Sequence, residues 1–183
     1  MKAIKLMNRA ELGAFVQAHL RKSGIDMVLS GGACVSIYSH DAYVSMDLDM
    51  IHTSLMAPKR QVLRDAMHEL GFTERGRYFQ HPDTELFVEF PSGPPGVGEE
   101  PVKEVQELQQ DTGILKLISP TDCIKDRLTG FYHDNDQQCL AQAVLVAREN
   151  PINLAEIERW SKGEGMTGQF RKIRAQLDKD AFK

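Results

Sequence analysis

Cysteine is scarce in this chain, and what there is forms no pattern. Cys34, Cys123 and Cys139 are its three cysteines among 183 residues. They show neither metal-ligand spacing nor the even count of a disulfide framework, which excludes a thiolate zinc cage and a disulfide-stapled secreted scaffold. An odd count without a secretion signal implies reduced thiols and a cytoplasmic setting. Long apolar runs are lacking as well. None approaches the roughly 20 residues that span a bilayer, and Met1-Lys2-Ala3-Ile4-Lys5 leads into no signal-peptide core. No membrane association is expected. Charge of one sign is also lacking: 22 basic residues against 26 acidic ones leave a net charge of −4. That balance argues against a strongly basic nucleic-acid binder, while a local patch such as Arg75 and Arg77, or Arg171, Lys172 and Arg174, stays open. No internal repeat is visible. With 42% hydrophobic and 26% charged residues, the chain reads as an ordinary soluble globular protein, one domain or one domain with a helical appendage.

Periodicity then divides the chain. Asn8 with Glu11 three residues on reads as a capping box, followed by the helical stripe Leu12, Phe15, Val16 and Leu20, with Ser23-Gly24 as its stop. A short apolar strand over 26–30 runs into a helix that opens at Gly31-Gly32 and reaches about Ser39. A second strand is expected from Asp47 to Thr53. Pro58 suits a first helical turn, with Val62, Leu63, Ala66, Met67 and Leu70 as the buried face and Gly71 as the stop. Residues 77–90 read as a hairpin about His81-Pro82-Asp83, with Glu85, Phe87 and Glu89 on one face of its second strand. The Pro- and Gly-rich stretch from Pro91 to Glu100 is expected to be a mobile loop without regular structure, gating the acceptor or merely connecting. One or two strands fill 103–118.

From Ser119, an N-cap before Pro120, everything reads as helical. The stripes are Ile124, Leu128 and Phe131; Leu140, Ala143, Val144 and Ala147; Ile157 and Trp160; Phe170, Ile173 and Leu177. His133-Asp134-Asn135-Asp136 reads as an N-cap cluster rather than a metal site. The expected fold class is α+β: a small mixed sheet flanked by helices over 1–118, followed by a C-terminal helical bundle over 119–183 packed on that core.

The chemistry concentrates near the first two strands. Strand side chains alternate, so Asp47 and Asp49 face one way while Leu48 and Met50 face the other. Two like charges on one strand face need a partner, and a divalent cation supplies it; a solvated pair on an edge strand is the alternative. Gly31 and Gly32 open a helix whose first N–H groups favour an anionic phosphate, or they form an ordinary tight turn. Ser30 and Ser45 are hydroxyls that touch a phosphate or cap the backbone.

Gly31-Gly32-Ala33 followed by Ser45-x-Asp47-x-Asp49 resembles the nucleotidyltransferase superfamily of the DNA polymerase β fold, in its small bacterial branch of minimal nucleotidyltransferases and abortive-infection type toxins. The motifs cover residues 27–52, and the order of elements agrees to about residue 149. The resemblance implies Mg²⁺ or Mn²⁺ at Asp47 and Asp49, a nucleoside triphosphate substrate held by Gly31, Gly32 and Ser45, and a third carboxylate on a neighbouring strand, for which Glu89 is the candidate. It also implies a lysine in the helix after Ser119-Pro120 at the phosphates: Lys125, with Arg127 as the nearby alternative. The implied activity is transfer of a nucleoside monophosphate to a hydroxyl of an RNA end, a protein or a small molecule. A toxin of this kind implies an antitoxin partner. A second functional class is a binding module that keeps the fold but has lost catalysis.

Overall fold

The computed structural model of the chain describes residues 2–178; residue 1 and residues 179–183, the outer ends of the two expected ranges, lie outside them. In chain order the elements are α1 (Arg9–Lys22), β1 (Met27–Ser30), α2 (Gly31–Tyr38), β2 (Asp47–His52) and α3 (Arg60–Glu69). Then come β3 (Thr73–Arg75), β4 (Tyr78–Gln80), β5 (Phe87–Glu89), β6 (Gly96–Val97), β7 (Glu100–Pro101), β8 (Val105–Gln110) and β9 (Gly113–Ile118). Helices α4 (Pro120–Asp134), α5 (Gln137–Glu149), α6 (Leu154–Gly163) and α7 (Thr167–Leu177) complete the chain. It divides into a first unit of Met1–Cys34, Ser45–Pro95 and Val105–Ile118, and a second of Val35–Val44, Gly96–Glu104 and Ser119–Lys183.

In the first unit the strands form one mixed sheet in the order β3-β4-β5-β2-β1-β9-β8. β2 runs antiparallel to β1 and parallel to β5, and β1 runs parallel to β9. Alternation decides the faces. Leu29 pairs with Met50, Leu48 pairs with Val88, and all four are fully buried. Helix α1 packs on this apolar face; Leu12, Val16 and Leu20 are buried, and Gly13 lets the Leu48, Met50 and Leu115 side chains come close. The capping box is present: Glu11 N donates to Asn8 Oδ1 at 2.9 Å, and Asn8 N donates to Glu11 Oε2 at 2.8 Å. Gln17, nearly fully buried, completes the strand bonding of Lys116. It donates to the Lys116 carbonyl and accepts from the Lys116 N–H, both at 2.8 Å. A buried amide stabilises only when both its ends are matched in this way.

Two local expectations are corrected. α3 starts at Arg60, with Pro58 outside it, and Lys59 at the N-cap makes no side-chain bond. Its buried stripe is Leu63, Ala66 and Met67, and Val62 is 39% exposed, because one residue of helix turns a side chain about 100° off the stripe. Gly71 stops α3 as expected, at φ +84°, with Phe72 N bonded back to the Met67 carbonyl. The stretch expected to be a mobile loop contains a short ladder: Gly96 pairs with Pro101 and Val97 with Glu100. Composition hid two anchors. Val97 is buried and its carbonyl accepts from Trp160 Nε1 at 3.1 Å, and Glu99 N donates to Glu164 at 2.9 Å.

The second unit carries the helices α4 to α7. Ser119 caps α4 by accepting from Asp122 N, with Pro120 at its start. Asp136 caps α5 through Gln138 N and Cys139 N, as the polar cluster implied. Trp160, Ile157, Phe170 and Ile173 are buried, while Phe131 is only half-buried. One carboxylate organises the polar side of the unit. Glu156 takes Lys125 Nζ at 2.8 Å, Lys103 Nζ at 2.8 Å and Arg159 Nε at 2.7 Å. The Arg159 bond, followed by those of Lys103 and Lys125, holds its carboxyl well below the usual carboxylate range against the opposing effect of burial. A depressed pKa contributes stability that is present above the ordinary value of 4.5 and is lost as pH falls beneath it. Glu156→Gln is therefore expected to lower the melting temperature at neutral pH and to flatten the loss of stability below pH 4.5 that the wild type shows. Thermal unfolding across an acid pH series checks both.

Candidate active site

Three carboxylates meet on the face of the sheet opposite Leu48, Met50 and Val88. Asp47 and Asp49 come from β2, Glu89 comes from β5, and Asp49 stands directly across the parallel pair from Glu89. One oxygen from each lies within 4.8 Å of the others, and all three residues are half-buried. The register forces this. Slipping β2 by one residue would send Leu48 and Met50 to the polar face and bury the aspartates, so the apolar alternation keeps the acids together. Three hard oxygen donors, with no sulfur or imidazole among them, fit Mg²⁺ or Mn²⁺.

The surroundings are built around Asp49. Ser30, the last residue of β1, pairs with it across the antiparallel ladder, and Gly31 follows at φ +68°. A Cβ on Gly31 would fall on the Asp49 carboxylate, so this glycine serves both the left-handed backbone and the close approach. Gly31 and Gly32 are the first residues of α2, which places a helix start beside the acid cluster. Ser45 is buried, and its hydroxyl donates to Asp47 Oδ1. That bond orients the carboxylate from behind, as outer partners of metal-binding groups commonly do.

Two supporting residues escaped the sequence reading. Arg9 Nε donates to the Ser45 carbonyl at 2.8 Å and fixes the entry to β2. Nothing local signals a bond across 36 positions. Arg77 was seen only as part of a basic patch. It sits in the turn between β3 and β4, its Nε 3.4 Å from Glu89 Oε1, and its side chain also bonds the Tyr78 hydroxyl. The bond to Tyr78 and the charges of Glu89 and Asp47 hold its pKa above the ordinary value. The hairpin register would have found it, because Tyr78 lies opposite Glu89.

Lys125, expected at the phosphates, belongs to the second unit and is 0% exposed. Its ammonium lies 3.0 Å from Asp122 and 2.8 Å from Glu156. A buried ammonium needs such carboxylates, and these two take it up. Arg127 bonds Asp126 at 2.6 Å and Gln142 at 3.3 Å.

The fold has a solved counterpart. The crystal structure of an antigenic nucleotidyltransferase-like protein from Paracoccidioides brasiliensis matches with a TM-score of 0.60 over 92% of this chain and 91% of that chain, at 11% identity. The chain therefore has a nucleotidyltransferase-like fold, α+β in class. Two structures of ANT(2'')-Ia are more distant, one in complex with adenylyl-2''-tobramycin and one of the antibiotic-resistance factor in solution. They share 12% and 14% identity over 86% and 88% of this chain and 94% and 90% of those chains, with TM-scores of 0.48 and 0.47. At that distance they add nothing to the fold assignment. No protein-family model matches the chain, and no curated protein matches it.

Gly31→Ala is expected to destabilise the chain by about 2 kcal/mol or more, combining left-handed strain with displacement of Asp49. Asp49→Ala in the same background should recover part of that loss. A double-mutant cycle by urea unfolding reads the coupling, and additive effects would show that the two residues do not touch in solution.

Proposed function

We propose that this chain is a metal-dependent nucleotidyltransferase, moving a nucleoside monophosphate from a nucleoside triphosphate to a hydroxyl of an RNA end, a protein or a small molecule. The observation that carries the reading is the register that sets Asp49 against Glu89, with Asp47 on the same face, in a nucleotidyltransferase-like fold. Asp47, Asp49 and Glu89 would hold Mg²⁺ or Mn²⁺. Bound there, the ion supplies charge neutralisation for the triphosphate and acidity for the attacking hydroxyl.

The chain's own groups have distinct tasks in this reading. The N–H groups at the start of α2, from Gly31 and Gly32, receive phosphate oxygens, since a helix N-terminus favours negative charge. The Ser45 hydroxyl keeps Asp47 aimed into the site. A carboxylate of the cluster takes the proton from the acceptor hydroxyl. The new bond joins that oxygen to the α-phosphorus, the bond to the β-phosphate oxygen breaks, and pyrophosphate leaves. Arg77 offsets part of the negative charge at Glu89, and its guanidinium would offer donors to the triphosphate. Lys125 has no place in the phosphate site proposed, because its carboxylate partners hold it.

A second reading is a binding module without catalysis, and the Arg77–Glu89 ion pair favours it, since it occupies one of the three acids. A toxin paired with an antitoxin is a special case of the first reading; co-purification of the chain with the product of an adjacent gene tests it.

Calorimetry should show ATP binding that strengthens when Mg²⁺ is added, because carboxylates and water alone make a weak magnesium cage. Asp47→Asn and Asp49→Asn should each cut pyrophosphate release by about 100-fold or more while leaving the melting temperature unchanged or raised, since like-charge repulsion is relieved. Nucleotide binding indifferent to Mg²⁺ would support the module reading instead.

A further inference from the structure

The sheet face that carries Asp47, Asp49 and Glu89 continues past them onto β4 and β3. Residues paired across a ladder share a face. Phe87 stands opposite Asp47, Tyr78 opposite Glu89, and Arg75 opposite Tyr78. The strip beside the acids is therefore Phe87, Tyr78 and Arg75, and Arg77 reaches into it from the turn between β3 and β4. The two rings meet edge to face with centroids 4.6 Å apart, and the Arg77 guanidinium lies over the Tyr78 ring, 4.7 Å from its centroid. Both rings are half-buried and both arginines are exposed. Phe79 and Val88 fill the core from the opposite face, so Tyr78 and Phe87 are aromatic rings set on the polar side. Aromatic rings and guanidinium planes are surfaces on which bases stack, and exposed arginines beside them meet phosphates.

The place of this strip says which partner it serves. In-line displacement sets the attacking oxygen and the leaving pyrophosphate on opposite sides of the α-phosphorus. The start of α2, proposed above to receive phosphate oxygens, follows β1 directly. β1 and β4 flank the β2–β5 pair of the acids on opposite sides. With the leaving phosphates on the β1 side, the acceptor approaches from the β4 side, over Tyr78 and Phe87. Neighbouring strands lie about 4.8 Å apart, so a base stacked there is one sugar's reach from Glu89.

We propose that Phe87, Tyr78, Arg75 and Arg77 form the acceptor subsite, and that the acceptor is a nucleotide: a base on the rings, its 5′ phosphate at the arginines and its 3′ hydroxyl toward Glu89. The inference rests on the nucleotidyl-transfer reading and narrows its acceptor. Two sources offer this chemistry, the 3′ end of an RNA strand and a free nucleoside 5′-monophosphate. A polycation such as an amino-sugar meets like charge at the arginines, and a serine or threonine hydroxyl of a protein brings neither ring nor phosphate. The 3′ oxygen bonds to the α-phosphorus, its proton passes to a carboxylate of the cluster, and pyrophosphate departs.

The test has two arms. In the first, RNA octanucleotides of mixed sequence, labelled with fluorescein at the 5′ end, are titrated with the whole chain and followed by anisotropy. The wild type should bind them. Phe87→Leu, which keeps apolar bulk, and Arg75→Gln, at an exposed position, should each weaken binding about fivefold or more while Mg²⁺-dependent ATP binding is retained. Arg171→Gln, an exposed arginine of the second unit, should bind RNA as the wild type does. In the second arm, the four nucleoside triphosphates labelled on the α-phosphate are incubated with Mg²⁺, the chain and one of three acceptors: cellular RNA, the same RNA blocked by a 3′ phosphate, or nucleoside 5′-monophosphates. Label should enter unblocked RNA or the monophosphates, which tells the two sources apart, and both strip variants should cut it about fivefold or more.

RNA and monophosphate that neither bind nor take label, or binding that Arg171→Gln weakens as much as the strip variants do, overturns the subsite. ATP binding that falls in step with RNA binding in both strip variants assigns the rings to the triphosphate and overturns the acceptor role. Equal labelling of blocked RNA, or label found only in protein or in polycationic small molecules, overturns the nucleotide 3′ hydroxyl as acceptor. Absence of Mg²⁺-dependent ATP binding overturns the transfer reading itself, and the acceptor role with it.

Discussion

The pairing of β2 with β5 is the constraint on which the site depends. Leu48, Met50 and Val88 are fully buried, so neither strand can slip by a residue without exposing them. That apolar demand fixes the other face, where Asp47, Asp49 and Glu89 must then stand together. Hydrophobic burial thus pays for an electrostatic arrangement that would not assemble by itself, since like charges at this spacing repel.

Two groups of carboxylates are treated in opposite ways. In the second unit Glu156 faces Lys103, Lys125 and Arg159, and Asp122 accepts from Lys125, Lys103 N and Glu104 N. Those acids are matched by the protein's own donors and are parts of the scaffold. In the first unit three acids converge on one another, Gly31 gives up its side chain to admit one of them, and Arg77 reaches in from an exposed turn. In the proposed function, this arrangement, which costs stability and glycine-specific backbone, would serve an external cation and a triphosphate.

Much of this was legible in the sequence because it is local. The alternation of Asp47 to Met50, the Gly31-Gly32 helix start, the Asn8 and Ser119 caps and the left-handed stop at Gly71 all follow from neighbouring residues. What stayed hidden depends on distant partners. The ladder at Gly96 and Val97 exists because Trp160 and Glu164 hold it, and its prolines and glycines gave no hint of either. Lys125 is expected at the phosphates from its place after Ser119-Pro120, and that local spacing gives no sign of Glu156, 31 positions on, which with Asp122 pairs its ammonium. A cavity of about 520 Å³ in the first unit draws its walls from β1, β2, α3, β4 and the segment after β5, and no single stretch of sequence carries its shape.

The most direct measurement is anomalous diffraction from crystals grown with Mn²⁺ and a non-hydrolysable ATP analogue. The account predicts a manganese peak among the oxygens of Asp47, Asp49 and Glu89, with phosphate oxygens at the start of α2. Manganese absent from those three carboxylates, with Arg77 still paired to Glu89 and nucleotide bound elsewhere, would contradict it.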